Sequence, residues 1–230
     1  TFILERGQYD QPGETVQAGV PAVLPALPSE APKNRLALAR WLVSKEHPLT
    51  ARVAVNRYWQ LLFGTGLVET AEDFGTQGAI PTHQELLDFL ALRFMNEHNW
   101  SMKSLLKDIV MSATYRQDSR VTEEHLQKDP SNQFLSRAPR VRLSAEQIRD
   151  QALAVSGLLS EKMFGKSVMP YQPAGVWNSV YNGDEWVQSK GEDLHRRSVY
   201  TYMKRTSTYP SLMMFDGSSV RLIARIRFIS

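Results

Sequence analysis

Thr82-His83-Gln84-Glu85-Leu86-Leu87-Asp88-Phe89-Leu90-Ala91-Leu92-Arg93-Phe94-Met95 is the stretch that decides the fold class. Its first four residues have the Thr-x-x-Glu form of a capping box, in which hydroxyl and carboxylate satisfy orphan backbone N–H groups reciprocally. Leu86, Leu87, Leu90, Phe94 and Met95 follow at helical spacing and make one apolar stripe. An amphipathic helix is therefore expected, and the segments on either side read the same way.

Upstream, residues 51–63 predict a second helix, with Thr50 as its cap, Gly64 as its stop, and Val55, Trp59 and Leu62 on one face. A further helix over 35–43 has Asn34 as N-cap. Gly64, Gly66, Gly75 and Gly78 mark a loop up to Pro81. Downstream, Ser101 caps a helix over 102–114 whose inner face is Leu105, Leu106, Ile109, Val110 and Ala113. A short helix over 123–127 stops before Asp129-Pro130. Ser144-Ala145-Glu146-Gln147 is another capping box. It opens a helix over 145–159 with Ile148, Ala152, Val155 and Leu159 inward. The fold class that results is mainly α.

The flanks differ. Residues 1–33 predict an extended strap: a strand from Thr1, a type II turn at Gln11-Pro12-Gly13-Glu14, then Pro21, Pro25, Pro28 and Pro32 at intervals that exclude a helix. Periodicity disappears over 160–194, where Trp177, Tyr181 and Trp186 remain to pack. Residues 198–203 are rich enough in β-branched and aromatic residues to suggest a strand. The expected organisation is a strap at 1–33, a helical domain at 34–216 and a divergent end at 217–230.

The chain has 230 residues, 42% of them apolar, and no cysteine, which excludes disulfides, thiolate metal sites and a Cys nucleophile. No apolar run is long enough for a helical membrane span. Net charge is +3 but uneven: residues 1–130 carry 13 Lys/Arg against 16 Asp/Glu, and 131–230 carry 14 against 8. The later half is thus the place to look for an anionic partner, although the excess is modest beside a dedicated nucleic-acid binder and no nucleic acid is expected.

Several signatures occur in one order: Arg6-Gly7-Gln8-Tyr9-Asp10-Gln11-Pro12-Gly13; Asn34-Arg35-Leu36-Ala37-Leu38-Ala39-Arg40-Trp41-Leu42; Asn56-Arg57-Tyr58-Trp59-Gln60; Asp73-Phe74-Gly75; Ser112-Ala113-Thr114-Tyr115-Arg116-Gln117; Ala145-Glu146-Gln147-Ile148-Arg149-Asp150-Gln151-Ala152-Leu153; Pro170-Tyr171-Gln172-Pro173; Arg196-Arg197-Ser198. Together they resemble, over about residues 1–216, the C-terminal planctomycete-specific domain catalogued as domain of unknown function fifteen-fifty-three. That resemblance implies no settled biochemical role. It implies an exported multidomain protein with a haem module upstream, neighbouring domains of the same polypeptide as partners, and a setting of polysaccharide degradation. No Cys-x-x-Cys-His exists here, so this segment attaches no haem covalently. Past Asp216 the residues depart from the ending the resemblance leads one to expect. A truncated folding unit is the expectation drawn from that.

No residue pattern announces a reaction. The five histidines form no His-x-x-x-His or Glu-x-x-His pair, and no Gly-x-Ser-x-Gly elbow or phosphate loop is present. Asp10, Glu146 and Asp150 are catalytic candidates by residue type alone. Glu146 and Asp150 share a helix face, where charge complementing the helix dipole and pairing with Arg149 or Arg142 is the plainer reading. The Arg content is more informative, because the guanidinium fork suits carboxylate, sulfate or phosphate. Arg137, Arg140, Arg142, Arg196 and Arg197, with Trp177 and Trp186, are the candidate set for an acidic or sulfated polysaccharide; Arg149, Arg205 and Tyr181 lie in the same region. Packing against acidic residues of a neighbouring domain would use the same groups. Two functions follow: an interaction or glycan-binding module, or a carbohydrate-active hydrolase or redox-linked enzyme. Convergence of Arg6, Asp10, Asn56, Arg57, Arg116 and Glu146 in one pocket would favour the enzyme, and their dispersal the module.

Overall fold

The structure, a computed structural model, describes residues 1–177, 185–204 and 207–215. Tyr181, Arg205 and the segment 217–230 lie outside the described residues. The chain is mainly α and divides into two compact units, Thr1–Val141 and Arg142–Ser230.

The first unit begins with a two-stranded antiparallel hairpin, β1 (Phe2–Leu4) and β2 (Pro12–Thr15). The expected strand at the start is there, but the type II turn is not. Pro12 and Gly13 belong to β2, and the chain reverses earlier, where Arg6 and Gly7 take positive φ in a 3-10 turn over Glu5–Gly7.

Six helices follow: α1 (Arg35–Leu42), α2 (Thr50–Phe63), α3 (Gln84–Asn96), α4 (Met102–Met111), α5 (Ala113–Arg116) and α6 (Glu123–Lys128). The core lies where α2 packs on α3 and α4. Val55, Trp59 and Phe63 from α2 meet Leu87, Leu90, Ala91 and Phe94 from α3, and Leu105 and Ile109 from α4. The apolar stripe read in the sequence of α3 is the stripe that is buried. Burying each such side chain contributes roughly 1.5–3 kcal/mol.

The caps show where local signals hold. Asn34 Oδ1 accepts from Ala37 N at 3.0 Å, and Ser101 caps α4 through Ser104 N. Two expected caps are replaced. Thr82 does not cap α3; its N–H and its hydroxyl both donate to Leu67 O, at 2.8 and 3.2 Å, and pin the preceding loop instead. Thr50 lies inside α2, and the cap is His47, whose Nδ1 accepts from Leu49 N and Thr50 N at 3.3 and 3.2 Å. The helix expected over 102–114 is broken at Ser112, whose hydroxyl caps α5; Ala113 is therefore exposed rather than inward.

The second unit carries α7 (Ala145–Val155) and α8 (Pro210–Met213), with 3-10 turns at Gly191–His195 and Ser198–Tyr200. The Ser144–Gln147 capping box forms as expected. The inward face of α7 does not. Ala152 and Val155 are exposed, while Arg149 and Asp150 are drawn in by polar bonds to residues 194–198. Residues 198–203 are not a strand: a 3-10 turn is followed by a single bridge from Thr201 to Val168. The unit's small core joins Ala145, Tyr209 and Leu212, with Trp186 against it.

Candidate functional site

In the first unit, one side chain sets the position of a whole loop. Asn56 is 0% exposed; its amide donates from Nδ2 to Val68 O at 2.9 Å and accepts at Oδ1 from Val68 N at 2.8 Å. That bidentate clamp holds the chain after α2 as a neighbouring strand would. Gly66 is required beside it, because a Cβ there would lie 2.7 Å from the Asn56 amide and 2.6 Å from Val68 O. The clamp delivers Leu67 and Glu69 to one wall of a cavity of about 420 Å³.

Another part of the lining is a loop fixed by its own polar groups. The buried Asp129 carboxylate accepts from Gln133 N and Phe134 N, at 2.7 and 2.9 Å. Arg137, 8% exposed, donates to Asp129 O and Pro130 O, both at 2.9 Å. Asn132 Nδ2 donates to Arg137 O, and Gln117 Nε2 to Leu135 O. Trp59 and Phe63, stacked at 4.0 Å, line the base. Hydroxyl and amide side chains (Thr65, Ser119, Ser131 and Gln133) face the space, with Glu69 and Arg140 exposed at its edge. Neither of those two charged side chains meets a hydrogen-bonding or ionic partner among the described residues.

The second unit uses its arginines differently. Arg196 is 2% exposed, and its guanidinium donates to Lys166 O, Lys162 O and Phe164 O while stacking 3.8 Å above the Tyr200 ring. Arg149 donates to Arg196 O at 2.8 Å, Leu194 O at 3.1 Å and Ser198 Oγ at 3.2 Å. Asp150 accepts from Ser198 N at 2.6 Å and from the exposed Arg197 at 3.5 Å. Trp177 is 7% exposed and packs on Trp186 at 5.1 Å; Trp186 stacks on Tyr209 and donates to Pro170 O. Lys162, held by Glu192 at 2.9 Å and beside Asp193, is pushed above the ordinary lysine value of 10.5, with the Glu192 hydrogen bond the main cause.

The candidate residues are therefore divided. Arg137 and Arg140 line the first unit's cavity, Arg137 as a buried brace and Arg140 as an exposed guanidinium. In the second unit Arg196 and Trp177 are interior, Trp186 is half-buried, and Arg142 and Arg197 are on the surface. Asp150 is bonded into the loop at 194–198. Asp10 is exposed in the N-terminal hairpin turn. Glu146, one turn before Asp150, lines a separate cavity and has no side-chain partner among the described residues. Within the first unit, the residues whose convergence would mark an enzyme have separate surroundings: Asn56 is the buried clamp, Arg57 pairs with Glu72 on the surface at 3.2 Å, and Arg6 and Arg116 are exposed. Sequence reading passed over Glu69, Ser119, Ser131 and Gln133, which carry no signal until the clamps bring them together.

Among the described residues no group of three or more His, Asp or Glu could hold a metal ion. None of their helices is long and apolar enough to cross a membrane. No curated protein and no solved structure matches the chain. The family described as PSD1, protein of unknown function (DUF1553), matches residues 34–229, past Asp216, where the resemblance was expected to end. With well over half of its length matched, the chain belongs to that family.

Proposed function

We propose that the chain is a non-catalytic binding module of an exported multidomain protein, and that its first unit takes an acidic saccharide. The observation that carries this is the cavity edged by Arg140 and Glu69 and lined by hydroxyl and amide side chains. An unpartnered guanidinium is suited to a uronate or sulfate group. The Glu69 carboxylate and the neutral polar groups are suited to ring hydroxyls, since a carboxylate accepts several donors at once. The cavity lies within the range typical of small-ligand sites, about 300–1,000 Å³. The wider setting, a polypeptide with a haem module and neighbouring domains, rests on the resemblance alone.

Affinity electrophoresis through gels containing a uronic, a sulfated or a neutral polysaccharide tests the reading. We expect retardation in the acidic gels that weakens with salt, as an exposed ionic contact should. Arg140→Ala should abolish most of it, while Arg197→Ala leaves it unchanged. Equal mobility in acidic and neutral gels would remove the proposal.

A further inference from the structure

Helix α1 is held from one side only. Its buried residues are Ala37 and Trp41. The Trp41 indole donates from Nε1 to Pro25 O at 2.7 Å and meets the His47 ring edge-on, so the N-terminal strap and the cap of α2 grip that side. The other side carries Leu36, Leu38, Ala39 and Leu42, with Val43 just past the end of the helix. At helical spacing these five share one continuous face. Leu36, Leu38, Leu42 and Val43 are each 40–55% exposed. While α2 packs along α3 and α4, α1 lies along no other helix among the described residues.

A single exposed Leu needs no explanation, but a contiguous apolar face on the open side of a helix does. Its charged surroundings have one sign. Residues 33–45 hold Lys33, Arg35, Arg40 and Lys45 and no Asp or Glu; Glu30 and Glu46 stand beyond the two ends. Lys33 reaches Gln17, whereas Arg35, Arg40 and Lys45 meet no hydrogen-bonding or ionic partner among the described residues. On the helix, Arg35 stands in the first turn of the apolar face and Arg40 at its border.

Shape and charge together select the occupant. Ala39 falls between the Leu38–Leu42 row and the Leu36–Val43 pair, so the smallest side chain of the face is the central one. The dip it leaves is of the kind that a ridge of a second helix fills, and a flat lipid surface would leave it empty. A second copy of α1 would bring like cations together, which is costly. A helix flanked by carboxylates would meet the apolar face and match Arg35, Arg40 and Lys45 at once. We propose that the outer face of α1 docks an amphipathic helix with acidic flanks.

Two synthetic peptides, each about eighteen residues long so as to be helical in water, serve as probes. They share one Leu/Ala stripe and differ only in having Glu or Lys flanks. The full chain is titrated with each by amide NMR. We expect saturable shifts centred on residues 35–43 with the Glu peptide, weakened by salt, and binding about tenfold weaker or less with the Lys peptide. Replacing both Leu38 and Leu42 with Ser should abolish the shifts, with thermal melts unchanged to within a few degrees, since both side chains are already exposed. Replacing both Arg35 and Arg40 with Glu should invert the preference, so that the Lys peptide binds better. A face that is merely sticky would not invert. Equal binding of the two peptides, an unchanged preference after the charge reversal, or shifts centred elsewhere overturns the proposal. So does a chain that ignores both peptides and instead self-associates through Leu38 and Leu42, or binds vesicles of phosphatidylglycerol and phosphatidylcholine in equal parts.

Discussion

At the scale of single residues, Asn56 has the largest consequence for its size. Replacing it with Ala leaves Val68 N and Val68 O buried with no partner, and each unmet group costs about 1–3 kcal/mol. We expect Asn56→Ala to lose roughly 2–5 kcal/mol, read as a lower urea midpoint at unchanged slope. Asn56→Asp keeps the acceptor for Val68 N but sets a second acceptor against Val68 O, and it should be no better. The same scale explains what residue type conceals. Glu146 and Asp150 look equivalent in the sequence, one helical turn apart. One faces a cavity and the other is tied to Ser198 N, because only the fold brings residues 194–198 to that turn. Likewise Arg196 and Arg197 are adjacent and chemically identical, yet one is interior and one is on the surface.

At the scale of elements, three helix starts were legible from a cap that bonds three residues along the chain. Asn34, Ser101 and Ser144 do what their positions predict. Thr82 fails the same test because its backbone N–H and hydroxyl are both held at Leu67 O, fifteen residues earlier, and the N-cap position falls to His83. A pattern read along the chain has no access to that rival. The start of α2 shows the converse, a cap supplied by a residue outside the usual Ser/Thr/Asp/Asn set. His47 accepts from Leu49 N and Thr50 N while its ring meets Trp41 edge-on at 4.5 Å, so it couples α1 to α2. We expect His47→Ala to lose at least the roughly 0.5–2 kcal/mol of an N-cap, and more where the Trp41 contact is also lost. His47→Asn, which restores a short acceptor, should recover part of the difference in denaturant melts. The inward face of α7 escaped sequence reading for a related reason. Apolar periodicity finds faces buried by packing, and this one is drawn in by Arg149 and Asp150.

At the scale of the whole molecule, the two units are held by different means. The first has an aromatic and aliphatic core shared by three helices. Among the described residues, the second has a small cluster at Ala145, Tyr209 and Leu212 and relies on guanidinium and carboxylate bonds to backbone. Regions with few buried apolar contacts open most readily. Native-state hydrogen exchange should therefore find the slowest amides in α2 and α3. The amides of α7 should exchange at lower opening free energy. Equal protection in α3 and α7 would contradict that ranking. The mainly α class was legible because long periodic helices dominate the first unit. Beyond the start of α7 the second was legible only as a loss of periodicity, since its order comes from contacts such as Arg149 with Leu194 O, 45 residues apart.

The caged guanidinium of Arg196 bears on how the chain meets proteases. Arg196-Arg197 is a dibasic pair of the kind trypsin-like enzymes cut. In the native molecule the first specificity side chain is walled in by three carbonyls and a tyrosine ring. Hydrolysis after Arg196 must wait for that part of the second unit to open. At low enzyme concentration the nicking rate then follows the population of the open form. A bond that looks like a processing site becomes a clock for local unfolding, and Arg196→Lys, which cannot span the three carbonyls, should make the clock run faster.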